Sequence, residues 1–196
     1  MSSISTEHVT GFIAEFRNGY FSPTLTTLFG DLLNKAEERY GERDKNWTPL
    51  GIEFVKGIPE IWRMGIEKKK YFCIRLSHHT ANDPALAIYD LAHETIHALG
   101  PVLKEETKVI EEGLATMFAD EASPSVGGIV RNALGNYGPA RDLVKEFVAI
   151  AGPEGVKNLR KCRPSISHVT ADLIREKCRA VSVSMANSLC ERFKYT

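Results

Sequence analysis

Apolar positions recur with a helical period early and late in the chain and lose it in between. Val9, Phe12, Ile13 and Phe16 stand at i, i+3, i+4 and i+7, the spacing of a helix with one buried stripe. Leu25, Leu28, Phe29, Leu32, Leu33 and Ala36 repeat that spacing after Ser22-Pro23, and Gly41 is a stop signal just past Tyr40. Residues 52–55 and 71–76 are short runs rich in β-forming side chains and predict two strands, with a third around 61–66. Lys68, Lys69 and Lys70 read as a solvated hairpin turn leading into the last strand. From Pro84 the helical period returns. Asn82 or Asp83 can cap a helix with Pro84 at its first position, and Gly100-Pro101 stops it near Leu99. A second helix is predicted over roughly 104–121, and others near 139–151 and 170–193. The segment 123–139, with Gly127-Gly128 and Asn136-Tyr137-Gly138-Pro139, is the most loop-like part. Without repeats or a long linker, the pattern predicts one α+β domain over 1–196. Helices and a small sheet fill 1–80, a helical pair 81–122, and a helical remainder 123–196.

The chemistry is concentrated in the helix after Pro84. Residues 93–97 read His-Glu-Thr-Ile-His, and positions four apart lie one turn above each other on the same helix face. Both imidazoles can then reach one ion, with Glu94 beside them as general base for a metal-activated water. At about 100° per residue, Asp90, His93, Glu94 and His97 share an arc of roughly 100°. Ile88, Leu91, Ala92, Ile96, Ala98 and Leu99 take the other side. An ordinary solvated face would mix in Lys or Arg, and none occurs between Arg75 and Lys104.

A catalytic zinc site needs a third protein ligand and an open position. A third His after a turn at Gly100 is ruled out, because Leu103 stands at its place. A carboxylate from the next helix is the other source, and Glu111 and Glu112 both qualify on spacing. Ile110, Leu114, Met117 and Phe118 form that helix's apolar face; Glu111 flanks Phe118, while Glu112 sits beside Ala115, Thr116 and Ala119. Gly113 costs about 1 kcal/mol inside a helix, which close packing against a neighbour such as the His helix would offset.

His93-Glu94-Thr95-Ile96-His97 followed by Glu112-Gly113-Leu114-Ala115 resembles the gluzincin metallopeptidases over residues 90–116. The resemblance implies a zincin-like fold, Zn2+ held by His93, His97 and Glu112, and Glu94 as the base. The chain departs from the family at Thr116, where thermolysin-like members place an Asp that orients a ligand His. Asp90 is the substitute for that role. No Gly-x-Met-Glu-Asn run for gripping a peptide amino terminus occurs upstream, which disfavours a large-type aminopeptidase. Members use a downstream Tyr or His to stabilise the oxyanion, a role for which Tyr137 and His168 are the candidates here. The strand at 71–76 is expected to align extended substrate by its edge, and His78 and His79 are expected as exposed residues at the helix entry.

Composition narrows the setting without adding chemistry. Lys plus Arg is 25 and Asp plus Glu is 25, so bulk charge offers no field for nucleic acid. No run approaches the ~20 apolar residues that span a bilayer, and no secretory signal is seen. Cys73, Cys162, Cys178 and Cys190 are too sparse for a disulfide framework, so a cytoplasmic protein with reduced thiols is expected. The expected activity is zinc-dependent hydrolysis of a peptide or protein substrate. The alternative is a zinc-containing binding or regulatory module without turnover.

Overall fold

A computed structural model describes residues 14–17, 20–66, 69–132, 134–152 and 154–195. It is a mixed α+β structure with seven α-helices and a small three-stranded mixed sheet among the described residues. Val9, Phe12 and Ile13 of the first predicted helix lie outside those residues. Phe16 is not helical. It lies in β1 (Phe16–Arg17), which pairs antiparallel with β2 (Tyr20–Phe21), and the Phe16 and Phe21 rings meet edge to face across the pair at 5.2 Å.

The helix α1 (Leu25–Tyr40) begins where Thr24 and Thr27 cap it reciprocally and ends at Gly41, whose φ of 91° suits glycine. Its stripe of Leu25, Leu28, Leu32 and Ala36 is buried, as its spacing requires. The sheet contains β3 (Trp47–Val55), β4 (Glu60–Ile66) and β5 (Lys69–Ser77) in the order β3-β5-β4. β5 runs parallel to β3 and antiparallel to β4. Its Phe72, Ile74 and Leu76 are buried, while Pro49 is tolerated on the β3 edge beside a register shift.

This order corrects one expectation. The strand covering 71–76 is central, with both edges already hydrogen-bonded, so it cannot take an added peptide strand. The outer edge next to the helices' polar cleft belongs to β4. Val55 pairs with Ser77 and Glu60 with Arg75, so the 56–59 connection passes the end of β5 and forms a wall of that cleft.

After β5, His78 and His79 lie exposed in a short 3-10 turn, as expected. The helix α2 (Pro84–His97) starts with Asp83, whose side chain accepts the Leu86 N–H at 3.1 Å. The helix predicted over 104–121 is broken. A 3-10 turn covers Lys104–Glu106, Thr107 is extended, and α3 (Val109–Ala122) starts after Lys108. Thr107 and Lys108 instead pair with residues 191–193, which takes their backbone out of the helix. Glu111 and Glu112 therefore sit in the first turn of α3, where the positive end of the helix dipole favours carboxylates.

Beyond it, α4 (Tyr137–Ala151) matches its prediction closely, and α5 (Gly155–Cys162) was not foreseen. The long helix expected over 170–193 is two short ones, α6 (Ala171–Lys177) and α7 (Val183–Leu189). Ser182 restarts the second by accepting the Met185 N–H at 3.1 Å. Gly113 packs against α4, not against the His helix: a Cβ there would meet the Ala140 carbonyl oxygen at 2.3 Å. That close crossing is what brings Tyr137, at the start of α4, to the polar face of α2. The four cysteines are free, and no helix among the described residues is long and apolar enough to cross a membrane.

Candidate metal centre

The site lies where the last two turns of α2 face the first turn of α3. Packing of the apolar side of α2 against the core leaves His93, Glu94 and His97 lining the cleft, as the helical wheel requires, while Asp90 one turn earlier does not line it. His93 Nε2 lies 3.1 Å from Glu112 Oε2, His97 Nε2 lies 3.3 Å from His93 Nε2, and His97 Nε2 lies 3.7 Å from Glu112 Oε2. Three donor atoms from two helices thus converge on one point. A tetrahedral zinc with bonds of about 2.0–2.1 Å separates its ligand atoms by roughly 3.3 Å. The observed triangle has that size, and its donor set of two imidazole nitrogens and one carboxylate oxygen suits the ion.

The two glutamates, equivalent on spacing, are placed differently. Glu112 points at the two Nε2 atoms. Glu111 Oε1 lies 2.8 Å from His97 Nδ1, on the far side of that ring. With the neutral ring's proton on Nδ1 and donated to Glu111, the His97 Nε2 lone pair would face the cluster, the usual way a carboxylate fixes a ligand imidazole. Glu94 is a third buried carboxylate, with an oxygen within 4.8 Å of the histidine donor atoms. It too could hold an ion. Glu112 Oε2 directly meets His93 Nε2 in the convergent triangle, whereas Glu94 stands beside it.

Electrostatics point the same way. Glu94, Glu111 and Glu112 are all buried around two histidines, with the Arg160 guanidinium near enough to feel the charge of Glu111, and Glu111 Oε2 is buried with no hydrogen-bond partner. Burial opposes the His97 imidazolium, yet Glu112, the Glu111 hydrogen bond and Glu94 outweigh it and raise His97 well above the ordinary histidine value. Burial likewise works against the Glu112 carboxylate, but His97 and His93 hold its pKa well below the usual range. Glu94 has less help: burial pushes its carboxyl up to about 7 against the lowering effect of His97 and His93. Carboxylates buried this close to two imidazoles favour a positive charge among the three convergent atoms, which a proton on His97 or a bound cation can supply.

Two tyrosines complete the cleft. The Tyr137 ring meets His93 edge to face at 5.8 Å, and its side chain lines the cavity. Burial, then the charges of Glu112 and Glu94, push its hydroxyl above the ordinary value and keep it a proton donor. His168 is a correction. It is exposed on a separate 3-10 turn and does not line the cavity, so it cannot serve the site. Tyr195 takes a place that the sequence did not signal: its hydroxyl donates to Glu112 Oε1 at 2.7 Å. Asp90 pairs with Arg131 at 2.9 Å, so its hydrogen bond goes to that guanidinium; burial raises its carboxyl pKa against the lowering charges of Arg131 and His93. Thr116, at the place of the family's aspartate, donates to the Glu112 carbonyl at 2.9 Å and touches no histidine. The cleft, with its mouth included, holds about 510 Å³ and has Ile58, Ile61 and Val102 as apolar walls.

No described protein family matches the chain, and neither a curated protein nor a solved structure matches it. The class that fold and site define is therefore an α+β protein with a possible metal-binding His-Glu-x-x-His cluster.

Proposed function

We propose that the protein is a zinc-dependent peptide hydrolase with a gluzincin-like site. One observation carries the reading: His93 Nε2, His97 Nε2 and Glu112 Oε2 converge with the separations of a tetrahedral zinc shell, beside a buried Glu94. Zinc bound there would polarise a scissile carbonyl and lower the pKa of water.

The chain's own groups divide the remaining work. Glu94, held near neutrality by its burial, accepts the proton of the attacking water and delivers it to the leaving amine. The Tyr137 hydroxyl is the donor available to the developing oxyanion. Extended substrate is aligned by β4, whose Glu60 and Ile61 line the cleft and whose outer edge is unpaired among the described residues.

Elemental analysis of the purified chain, with a peptide-library digest of the wild type and Glu94→Gln, tests the reading. One zinc per chain and cleavage lost only in the variant are expected. Cleavage retained in Glu94→Gln would sink the mechanism, and bound zinc without wild-type cleavage would move the protein to the class of metal-holding binding modules.

A further inference from the structure

Glu112 offers two oxygens, and the structure uses them differently. Oε2 faces the two histidine nitrogens, whereas Oε1 accepts the Tyr195 hydroxyl at 2.7 Å. A hydroxyl donating to a carboxylate is a charge-assisted bond, and it occupies the lone pair with which that oxygen would approach an ion.

Tyr195 is held in place by the backbone around it. Lys108 pairs with Arg192 as an antiparallel bridge, the Phe193 N–H donates to the Thr107 carbonyl at 2.9 Å, and Asn136 Nδ2 donates to the Lys194 carbonyl at 2.7 Å. The rings of Tyr137, Phe193 and Tyr195 follow one another at 4.9 and 5.0 Å, so the strap is braced against the residue that flanks His93. Lys104 lies over the Tyr195 ring at 4.4 Å from the other side. The 191–195 strap therefore pairs with the extended residues just before α3 and plants one hydroxyl on a glutamate of its first turn.

We propose that Tyr195 is a positioning residue that restricts Glu112 to one-oxygen ligation, so that docking of the 191–195 strap sets the affinity and coordination number of the metal centre. This rests on the metal reading of the site. With Oε1 occupied, Glu112 contributes one bond and the shell keeps a position for substrate. With Oε1 released, the carboxylate would be free to chelate through both oxygens, adding a fifth bond that crowds that position.

The test compares full-length wild type with Tyr195→Phe, which keeps the ring and its contacts and removes only the hydroxyl. Zinc affinity is measured by competition with a chromophoric chelator, and the visible spectrum is taken with cobalt(II) as the probe ion. Zinc binding about 10–100-fold weaker in the variant is expected, because no hydroxyl then holds Glu112 with Oε2 turned to the histidine nitrogens before the ion arrives, with a fainter cobalt band as a second Glu112 oxygen raises coordination from four to five. Affinity within twofold of wild type together with an unchanged cobalt spectrum would overturn the proposal, since simple packing by the ring moves neither. Should the variant not fold, a crystal structure of zinc-loaded wild type decides: one Glu112 oxygen on zinc with Tyr195 on the other supports the proposal, and both oxygens on zinc refutes it. Wild type that takes up no zinc overturns the metal reading and this inference together, whereas zinc-binding wild type with an indifferent Tyr195→Phe overturns this inference alone.

Discussion

Charge is buried in two regions of this molecule, and the two are solved in opposite ways. Arg160 on α5 is almost wholly buried, yet its guanidinium donates to the carbonyls of Tyr40, Gly41, Glu42, Leu99 and Pro164. Neutral backbone dipoles from the end of α1, the turn after α2 and the loop after α5 surround it. Burial lowers its pKa to about 10, against the raising effect of Glu111, Glu37 and Asp44, so it stays charged at neutral pH. The Glu94, Glu111, Glu112, His93 and His97 cluster has the reverse character. Its carboxylates and imidazoles face one another, and one oxygen of Glu111, the carboxylate whose charge also reaches Arg160, is left without a partner. A buried charge whose donors are all used is a structural knot. A buried cluster that still wants a cation is a candidate site.

The largest expected effect separates the two regions outright. His97→Ala removes a ligand atom from the convergent triangle. Sharing the ~10–16 kcal/mol of a four-ligand zinc site evenly gives about 2.5–4 kcal/mol per ligand, so affinity should fall by roughly 70-fold or more. Zinc should raise the melting temperature of wild type, by mass action on the folded state, and leave that of His97→Ala nearly unmoved. Equal zinc-induced shifts in differential scanning fluorimetry would break the distinction.

Arg160→Met attacks the other region. The variant removes hydrogen bonds from a charged donor, each worth about 1.5–3 kcal/mol, and leaves buried carbonyls unpaired. A loss of at least ~3 kcal/mol in urea unfolding is expected, with unchanged zinc stoichiometry in the protein that remains folded. A loss below ~1 kcal/mol would show that water replaces the guanidinium easily and that the knot is ornamental.

These two regions also mark what a sequence can reveal. The His-Glu-x-x-His run was legible because a helix fixes which residues share a face, and Asp83-Pro84 and Gly41 announced helix boundaries through local chemistry. Arg160 was not legible, since its carbonyl partners lie up to 120 residues away and any residue supplies a carbonyl. Tyr195 reaches Glu112 across 83 residues for the same reason. The α3 boundary was misplaced because the strap, not the propensity of residues 104–108, decides where that helix starts. His168 misled because a hydrogen-bonding side chain in a loop carries no information about which cavity it faces.

A finer prediction works within the cluster. Glu111→Gln keeps an oxygen near His97 Nδ1 but removes the charge that favours the ring's orientation and basicity. Loss of such a partner weakens zinc binding by about 10-fold or more. An affinity equal to wild type by chelator competition would mean that Glu111 only packs, and the cluster would then resemble the Arg160 knot more than a tuned site.

The smallest expected effect is at Thr116, and its smallness is informative. Gluzincin resemblance assigns the position four residues after Glu112 to an orienting aspartate, but Thr116 is buried and spends its hydroxyl on the Glu112 carbonyl within its own helix. Val has nearly the same shape, and the carbonyl remains available to the helical backbone ladder, so Thr116→Val should shift zinc affinity by less than about twofold. If it does so while Glu111→Gln weakens binding, the orienting carboxylate has moved from one turn beyond the ligand to the residue just before it. A Thr116→Val loss as large as that of Glu111→Gln would instead place position 116 in the metal's support, and the departure from the family pattern would be one of residue type alone.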